Sequence, residues 1–143
     1  MLYNYKIMEN PTIIRKTALA VFKDKKMLMV RTHRNDEVFY TLGGTIEQDE
    51  DGIDCLHREV KEEVDAEIQD GTIKFLREFE APAHGRVNTI VNIRLYAGEL
   101  RGEPTPSSEI VEIQYFDTTV DEKHLTPITF EMFDWLKVNN YIN

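Results

Sequence analysis

The segment "GGTIEQDEDGIDCLHREVKEEVDA", residues 43–66, crowds carboxylates against only His57, Arg58 and Lys61. At about 100° per residue on a helix, Glu59, Glu62 and Glu63 fall within an arc of roughly 100°. Ile53, Leu56, Val60 and Val64 form an apolar line centred about 110° away, so one edge is acidic and the next is built for a core. Glu59 and Glu63 are four residues apart, a like-charge spacing that costs an isolated helix about 0.2–0.5 kcal/mol. A hard divalent cation reverses that sign. Mg²⁺ takes oxygen ligands and commonly bridges one or two carboxylates to substrate phosphates. Arg58 cannot ligate a cation, so its role beside Glu59 and Glu62 is to orient carboxylates. A Glu-rich amphipathic helix alone is usually a solvated face. The wider spacing, Gly44, then Glu50, then Arg58 and Glu59, then Glu62 and Glu63, favours a site.

The elements that must hold these residues follow from periodicity. "TALAVF" (17–22) and "MLMVR" (27–31) read as two strands of a hairpin, and "VFYTL" (38–42) as a third strand ended by a turn at Gly43 and Gly44. Residues from about Gly52 to Val64 take helical spacing. "TIKFLREFEA" and "NTIVNIRLYAGEL" read as a long hairpin joined by "PAHGRV", and "IVEIQYF" as a last strand after the loop "RGEPTPSSE". "TPITFEMFDWLKVNNYI" places Ile128, Met132, Trp135, Leu136 and Val138 on one helical stripe, with Pro127 suited to the first turn. Two helices and a mixed sheet make a layered α/β domain.

With those residues in view, segment 44–66 resembles the Nudix box of the MutT-like Nudix hydrolases: Gly, five residues, Glu, seven residues, Arg-Glu-aliphatic-any-Glu-Glu-any-Gly-aliphatic. Every charged position of that pattern is matched. Glu47 falls at a commonly acidic position. Two positions depart: Asp65 stands where the box has Gly, a place favouring left-handed backbone, and Leu42 stands where many members have Pro. The resemblance implies an α/β/α sandwich, with residues 1–143 forming one Nudix domain, 1–16 an N-terminal segment and 43–66 the box.

It also implies hydrolysis of the diphosphate linkage of a nucleoside diphosphate linked to a group X, with Mg²⁺ as cofactor and Mn²⁺ as a substitute. Carried onto this chain, Glu59, Glu62 and Glu63 are the metal ligands, assisted by a carbonyl of Gly43 or Gly44. Glu50 either ligates through water or stabilises the first helical turn by its charge. The general base is open between Glu59, Glu109 and Glu112, Glu109 being the preferred loop candidate at the end of "TPSSE". For substrate binding, Arg31 is the first choice among Arg31, Arg34, Arg86 and Arg94, joined by Gly43 and Glu47. Either Phe39 or Tyr40 stacks on a base while the other enters the core, and His84 sits at a hairpin tip over the site. The expected substrate is a nucleoside triphosphate or an oxidised nucleotide. ADP-ribose, NDP-sugars and dinucleoside polyphosphates are the alternatives, and a non-catalytic nucleotide-binding domain is a further one. The purine-reading Asn of MutT-type enzymes has no counterpart in "HLTPITFEM". A Nudix-fold isomerase would need a reactive cysteine, and Cys55 falls where a small packed residue belongs.

Composition excludes other classes. The net charge of −9 repels a polymeric phosphate backbone and leaves room for a small phosphorylated ligand carried in with metal, which the resemblance implies is a small nucleotide. The single Cys55 forms no internal disulfide, and no apolar run has transmembrane length. The opening residues lack a signal-peptide pattern, so the expectation is a cytoplasmic monomer or homodimer without membrane attachment.

Overall fold

The computed structural model describes residues 8–34 and 36–143. The part of the expected N-terminal segment before residue 8 lies outside them. A mixed sheet contains β1 (Thr12–Ala20), β2 (Phe22–Lys23), β3 (Lys26–Thr32), β4 (Tyr40–Thr45), β6 (Lys74–Pro82), β7 (Thr89–Ala97) and β9 (Ile110–Phe116). Its backbone order is β6-β7-β1-β4-β3-β9, with the short β2 folded against β3. Only β1 and β7 run parallel. A second, two-stranded sheet of β5 (Glu67–Ile68) and β8 (Leu100–Arg101) was not expected from sequence.

Helices cover both faces. On one, α1 (Gly52–Val64) sets Leu56, Val60 and Val64 against Leu19, Leu28, Val30 and Leu42. On the other, α2 (Pro127–Val138) sets Ile128, Met132, Phe133 and Leu136 against Ala18, Ala20, Met27, Met29 and Ile93. Strand alternation explains this split: odd residues of β1 and even residues of β3 face α1, and the others face α2. Because both faces are buried, the strands read as apolar runs rather than as alternation. The architecture is the α/β/α sandwich expected from the box. Among the described residues no helix is long and apolar enough to cross a membrane.

The structure corrects several local expectations. The first strand begins at Thr12 rather than Thr17, and it does not pair with β3. Only Phe22 and Lys23 make the tight hairpin with Lys26 and Met27, through a turn in which Asp24 and Lys25 both have positive φ. β1 instead takes a central place between β4 and β7, as a strand apolar on both faces requires. Val138 is 80% exposed and leaves the apolar stripe of α2, whose buried face is completed by Thr129 and Phe133.

Gly43 and Gly44 do not end the third strand either. They are paired within β4, opposite Ala18 and Thr17. Their lack of side chains serves close approach: a Cβ on Gly43 (φ 148°) would stand 2.1 Å from the Thr17 carbonyl oxygen, and one on Gly44 would stand 2.4 Å from the Glu59 carboxylate. Asp65 closes α1 with left-handed backbone, φ 49° and ψ 45°, the conformation that the usual Gly would take. An exposed ion pair with Lys61, 3.1 Å long, sits over that turn.

Candidate active site

The box helix is held at both ends. Asp51 caps its start by accepting the Asp54 N–H at 2.8 Å. At its end, the Glu63 and Val64 carbonyls accept the N–H groups of Ser107 and Thr105, at 3.0 and 2.8 Å. That second clamp satisfies last-turn carbonyls and also fastens the "PTPSSE" loop to the helix, which delivers Glu109 to the carboxylate edge.

Arg58 organises the acidic residues. Its Nε and Nη2 donate to the two oxygens of Glu50 at 3.1 and 2.7 Å, a forked pair, while Nη1 donates to Glu59 Oε1 at 2.8 Å. Nη2 also reaches the Thr45 carbonyl at 3.2 Å. Glu62 and Glu47 approach Arg58 at 3.5 and 3.6 Å. Glu50 further accepts the Glu47 N–H at 2.8 Å. The Arg58 guanidinium, helped by that N–H, holds the Glu50 carboxyl at about 2, well below the carboxylate range. Glu50 is thus fully engaged in positioning Arg58, and it does not line the cleft described next.

A cleft of about 700 Å³ opens beside this edge, where the strand pair of β1 and β4 meets the 83–88 hairpin and the start of α2. Its lining carries the acidic residues Glu47, Glu59, Glu63 and Glu109 and the basic residues Lys16, Arg34, His84 and Arg86. Tyr40, Gly43 and Gly44 also line it. Glu63 is 7% exposed, and its Oε1 accepts the Gly43 N–H at 2.9 Å. Burial pushes its carboxyl up to about 8, with the charges of Glu59 and Glu109 adding to the shift against the Gly43 N–H. Burial likewise raises Glu59, against the pull of Arg58. Glu62 is more than half exposed on the same helix edge, outside the lining.

Among the described residues, no three His, Cys, Asp or Glu side chains already converge as a cation cage. The donor set still fits a hard, largely hydrated divalent ion. Mg²⁺ needs only one or two carboxylates plus substrate phosphates, and burial disfavours the charged form of both Glu59 and Glu63, a cost that a cation beside them would offset. The Gly44 and Thr45 carbonyls are less free, since the buried Cys55 thiol lies 3.5 Å from each. Burial raises the Cys55 thiol, the opposite of what a reactive cysteine needs.

The raised carboxyl has a consequence for stability. A native pKa of about 8 for Glu63, against an ordinary 4.5, means that the folded state keeps a proton which the unfolded chain has released. Stability from this group is therefore full below pH 4.5, declines as pH rises toward 8, and is flat above. Thermal denaturation followed across that range should show the decline in the presence of a chelator. Glu63→Gln should flatten it, and Mg²⁺ should raise Tm more at pH 8 than at pH 5.

Other sequence candidates fall elsewhere. Arg31 pairs with Glu112 at 2.8 Å and does not line the cleft, because alternation along β3 turns Val30 and Thr32 toward it instead. Glu112 is held below the ordinary range by Gln114 and Arg31, so it is already engaged. Arg94 lies over the Phe75 ring, 4.5 Å from its centroid. Phe39 is the core aromatic, packed edge-on to Phe116, and Tyr40 is the one facing the cleft. Sequence reasoning missed Lys16, Thr126 and Thr129. The alternation of Ile14, Lys16, Ala18 and Ala20 was the available signal for Lys16. The threonines, both buried and bonded to each other, line the cleft at the start of α2, within the "HLTPITFEM" stretch that lacks the Asn.

The family model described as the NUDIX domain matches residues 14–136. No curated protein matches the chain in sequence. Among solved structures, the chain is similar to a NUDIX hydrolase from Nitrosomonas europaea, with 16% identity and a TM-score of 0.73, covering 92% of this chain and 93% of that one. It is similar to the MutT protein from Methanosarcina mazei Go1, with 15% identity and a TM-score of 0.72, covering 92% and 98%. It is also similar to the E. coli ORF135 protein, with 21% identity and a TM-score of 0.67, covering 90% and 94%. At these identities the likeness speaks for the fold alone. The family model spans most of the chain, and on that ground the chain belongs to the Nudix family of hydrolases.

Proposed function

We propose that this chain hydrolyses the diphosphate linkage of a nucleoside diphosphate linked to X, with a divalent cation held at Glu59 and Glu63 and reached by Glu62 from the same helix edge. Mg²⁺ is the expected ion and Mn²⁺ a substitute, and a nucleoside triphosphate or an oxidised nucleotide is the leading substrate. The observation that carries this reading is one cleft lined both by the carboxylates Glu47, Glu59, Glu63 and Glu109 and by the cations Lys16, Arg34 and Arg86. That combination suits a metal–diphosphate complex, positive at its ion and negative at its free oxygens.

A divalent ion held by these residues would supply charge neutralisation of the phosphoryl oxygens and a lower pKa for an attacking water. The protein's own part is positional. Arg58 fixes Glu59 by its 2.8 Å contact, and the Gly43 N–H fixes one oxygen of Glu63. Glu50 holds the other side of the Arg58 fork. Glu109 is the base we favour for taking the proton from water, because it lines the cleft on a loop tied to α1 and is not committed to an ion pair among the described residues. Its Oε2 accepts only the neighbouring Ser108 hydroxyl, at 3.2 Å. Gly43, Gly44 and Tyr40 shape the wall, Glu47 stands at the acidic rim, and Arg34 and Arg86 face phosphate.

The test is a panel of deoxynucleoside triphosphates, oxidised nucleotides, ADP-ribose, dinucleoside polyphosphates and NDP-sugars, assayed with Mg²⁺ and with Mn²⁺ and compared by kcat/KM. Release of pyrophosphate or of a monophosphate is the expected result. No release from any of them would leave nucleotide binding without catalysis as the better reading.

A further inference from the structure

Lys16 is out of place for a purely structural residue. It belongs to β1, the central strand, with β4 on one side and β7 on the other, in register with Thr45 and Ile93. Its face of that strand continues into Ala18 and Ala20, both completely buried beneath α2, and Ile14 on the same face lines the cleft. An ammonium on the core-facing side of a central strand costs free energy unless it is paired or used. Among the described residues the Lys16 ammonium makes no hydrogen bond and no ion pair. Glu63 and Glu59 act on it only through space, as do Arg86 and Arg34, which carry the same charge. Three cations from three separate elements, β1, the loop after β3 and the 83–88 hairpin, therefore line one cleft, and among the described residues none of their side chains has an ion-pair partner there.

We propose that Lys16, flanked by Arg34 and Arg86, is a specificity-determining residue that selects substrates whose group X carries phosphate beyond the hydrolysed linkage. The proposal rests on the hydrolase reading above and adds the feature of X that the cleft recognises. With the scissile diphosphate at the carboxylates, a terminal phosphate is the group that meets a fixed ammonium. A neutral sugar in the same position leaves Lys16 desolvated and unpaired. A lysine suits this role because its charge is compact and accepts a phosphate from several directions, while the rigid strand beneath fixes where that charge sits.

The experiment has a kinetic arm and a binding arm. In the first, wild type, Lys16→Met and Lys16→Arg are assayed with a deoxynucleoside triphosphate and with UDP-glucose. Lys16→Met should raise KM for the triphosphate by about tenfold or more and lower its kcat/KM relative to UDP-glucose by a similar factor, and Lys16→Arg should restore most of the preference. In the second, inorganic tripolyphosphate is added without divalent cation and Tm is followed. It should stabilise wild type and protect Lys16→Met clearly less. Equal loss on both substrates, or equal protection of the two proteins by tripolyphosphate, overturns the proposal. Should wild type turn over nothing in the panel, the hydrolase reading fails, and the binding arm alone decides whether Lys16 recognises phosphate. Thermal denaturation of Lys16→Met without ligand shows that the variant is folded.

Discussion

Glu59→Gln is expected to lower kcat on the best panel substrate by on the order of 100-fold or more while leaving Tm close to that of wild type. The side chain faces the cleft, is largely buried, and is held by Arg58 at 2.8 Å. Gln keeps the shape and one acceptor oxygen, so the contact to Arg58 survives in weaker form, but the negative charge is gone. Burial already works against that charge, and the replacement relieves the cost in the free protein. Stability therefore holds or rises slightly, whereas an ion that needs hard anionic ligands loses one. Steady-state kinetics at saturating Mg²⁺, with parallel thermal denaturation, checks both halves. Retained turnover in Glu59→Gln would remove this carboxylate from the site.

The two glycines of β4 should separate folding from activity. Gly43→Ala places a methyl 2.1 Å from the Thr17 carbonyl oxygen and 2.8 Å from the Ala18 Cα, both backbone atoms of the central strand, at φ 148°. Neither strand can withdraw without breaking its ladder, so a loss of about 3 kcal/mol or more is expected, with much of the protein unfolded or insoluble. Gly44→Ala meets a different obstacle, the Glu59 carboxylate at 2.4 Å. A side-chain end can swing away, so the stability cost should be much smaller. The swing takes the carboxylate off its Arg58 contact and out of its place in the cleft, and kcat should fall nearly as far as in Glu59→Gln. Urea denaturation and kinetics on the two variants give the comparison. A Gly44→Ala protein that is active, or a Gly43→Ala protein as stable as wild type, would contradict the close approach of β4 to its neighbours.

The helices and the hairpin joined at 83–88 were legible in the sequence because their signals are local. Ile53, Leu56, Val60 and Val64 carry a helical period by themselves, and Asp51 and Pro127 mark where the two helices start. Part of the candidate site was legible for the same reason: Glu47, Glu59 and Glu63 lie within one segment, whereas Glu109 reaches the cleft from a distant loop. What escaped is non-local. The partners of β1 lie 23 to 29 positions away in β4 and more than 70 away in β7, a choice that a run of apolar residues does not encode. Thr12 to Lys16 mixes exposed and cleft-facing residues, so its strand character is visible only once β7 lies beside it. Gly43 and Gly44 look like a turn in sequence because close packing between strands and a chain reversal both call for Gly. Lys16 was hidden by the same mistake, since a residue placed before the first strand has no face to be on. Arg31 shows the reverse case: its position at a strand end suggested phosphate, but a one-residue alternation turns it to Glu112.

On the proposed reading the cleft acts on a diphosphate only with a divalent cation at its carboxylates. Release of pyrophosphate or monophosphate from the best panel substrate is to be measured first in excess chelator and then after Mg²⁺ is restored. No turnover above background is expected in chelator, with full recovery on Mg²⁺ and no recovery in Glu59→Gln. Turnover that continues undiminished in the chelated protein would contradict it.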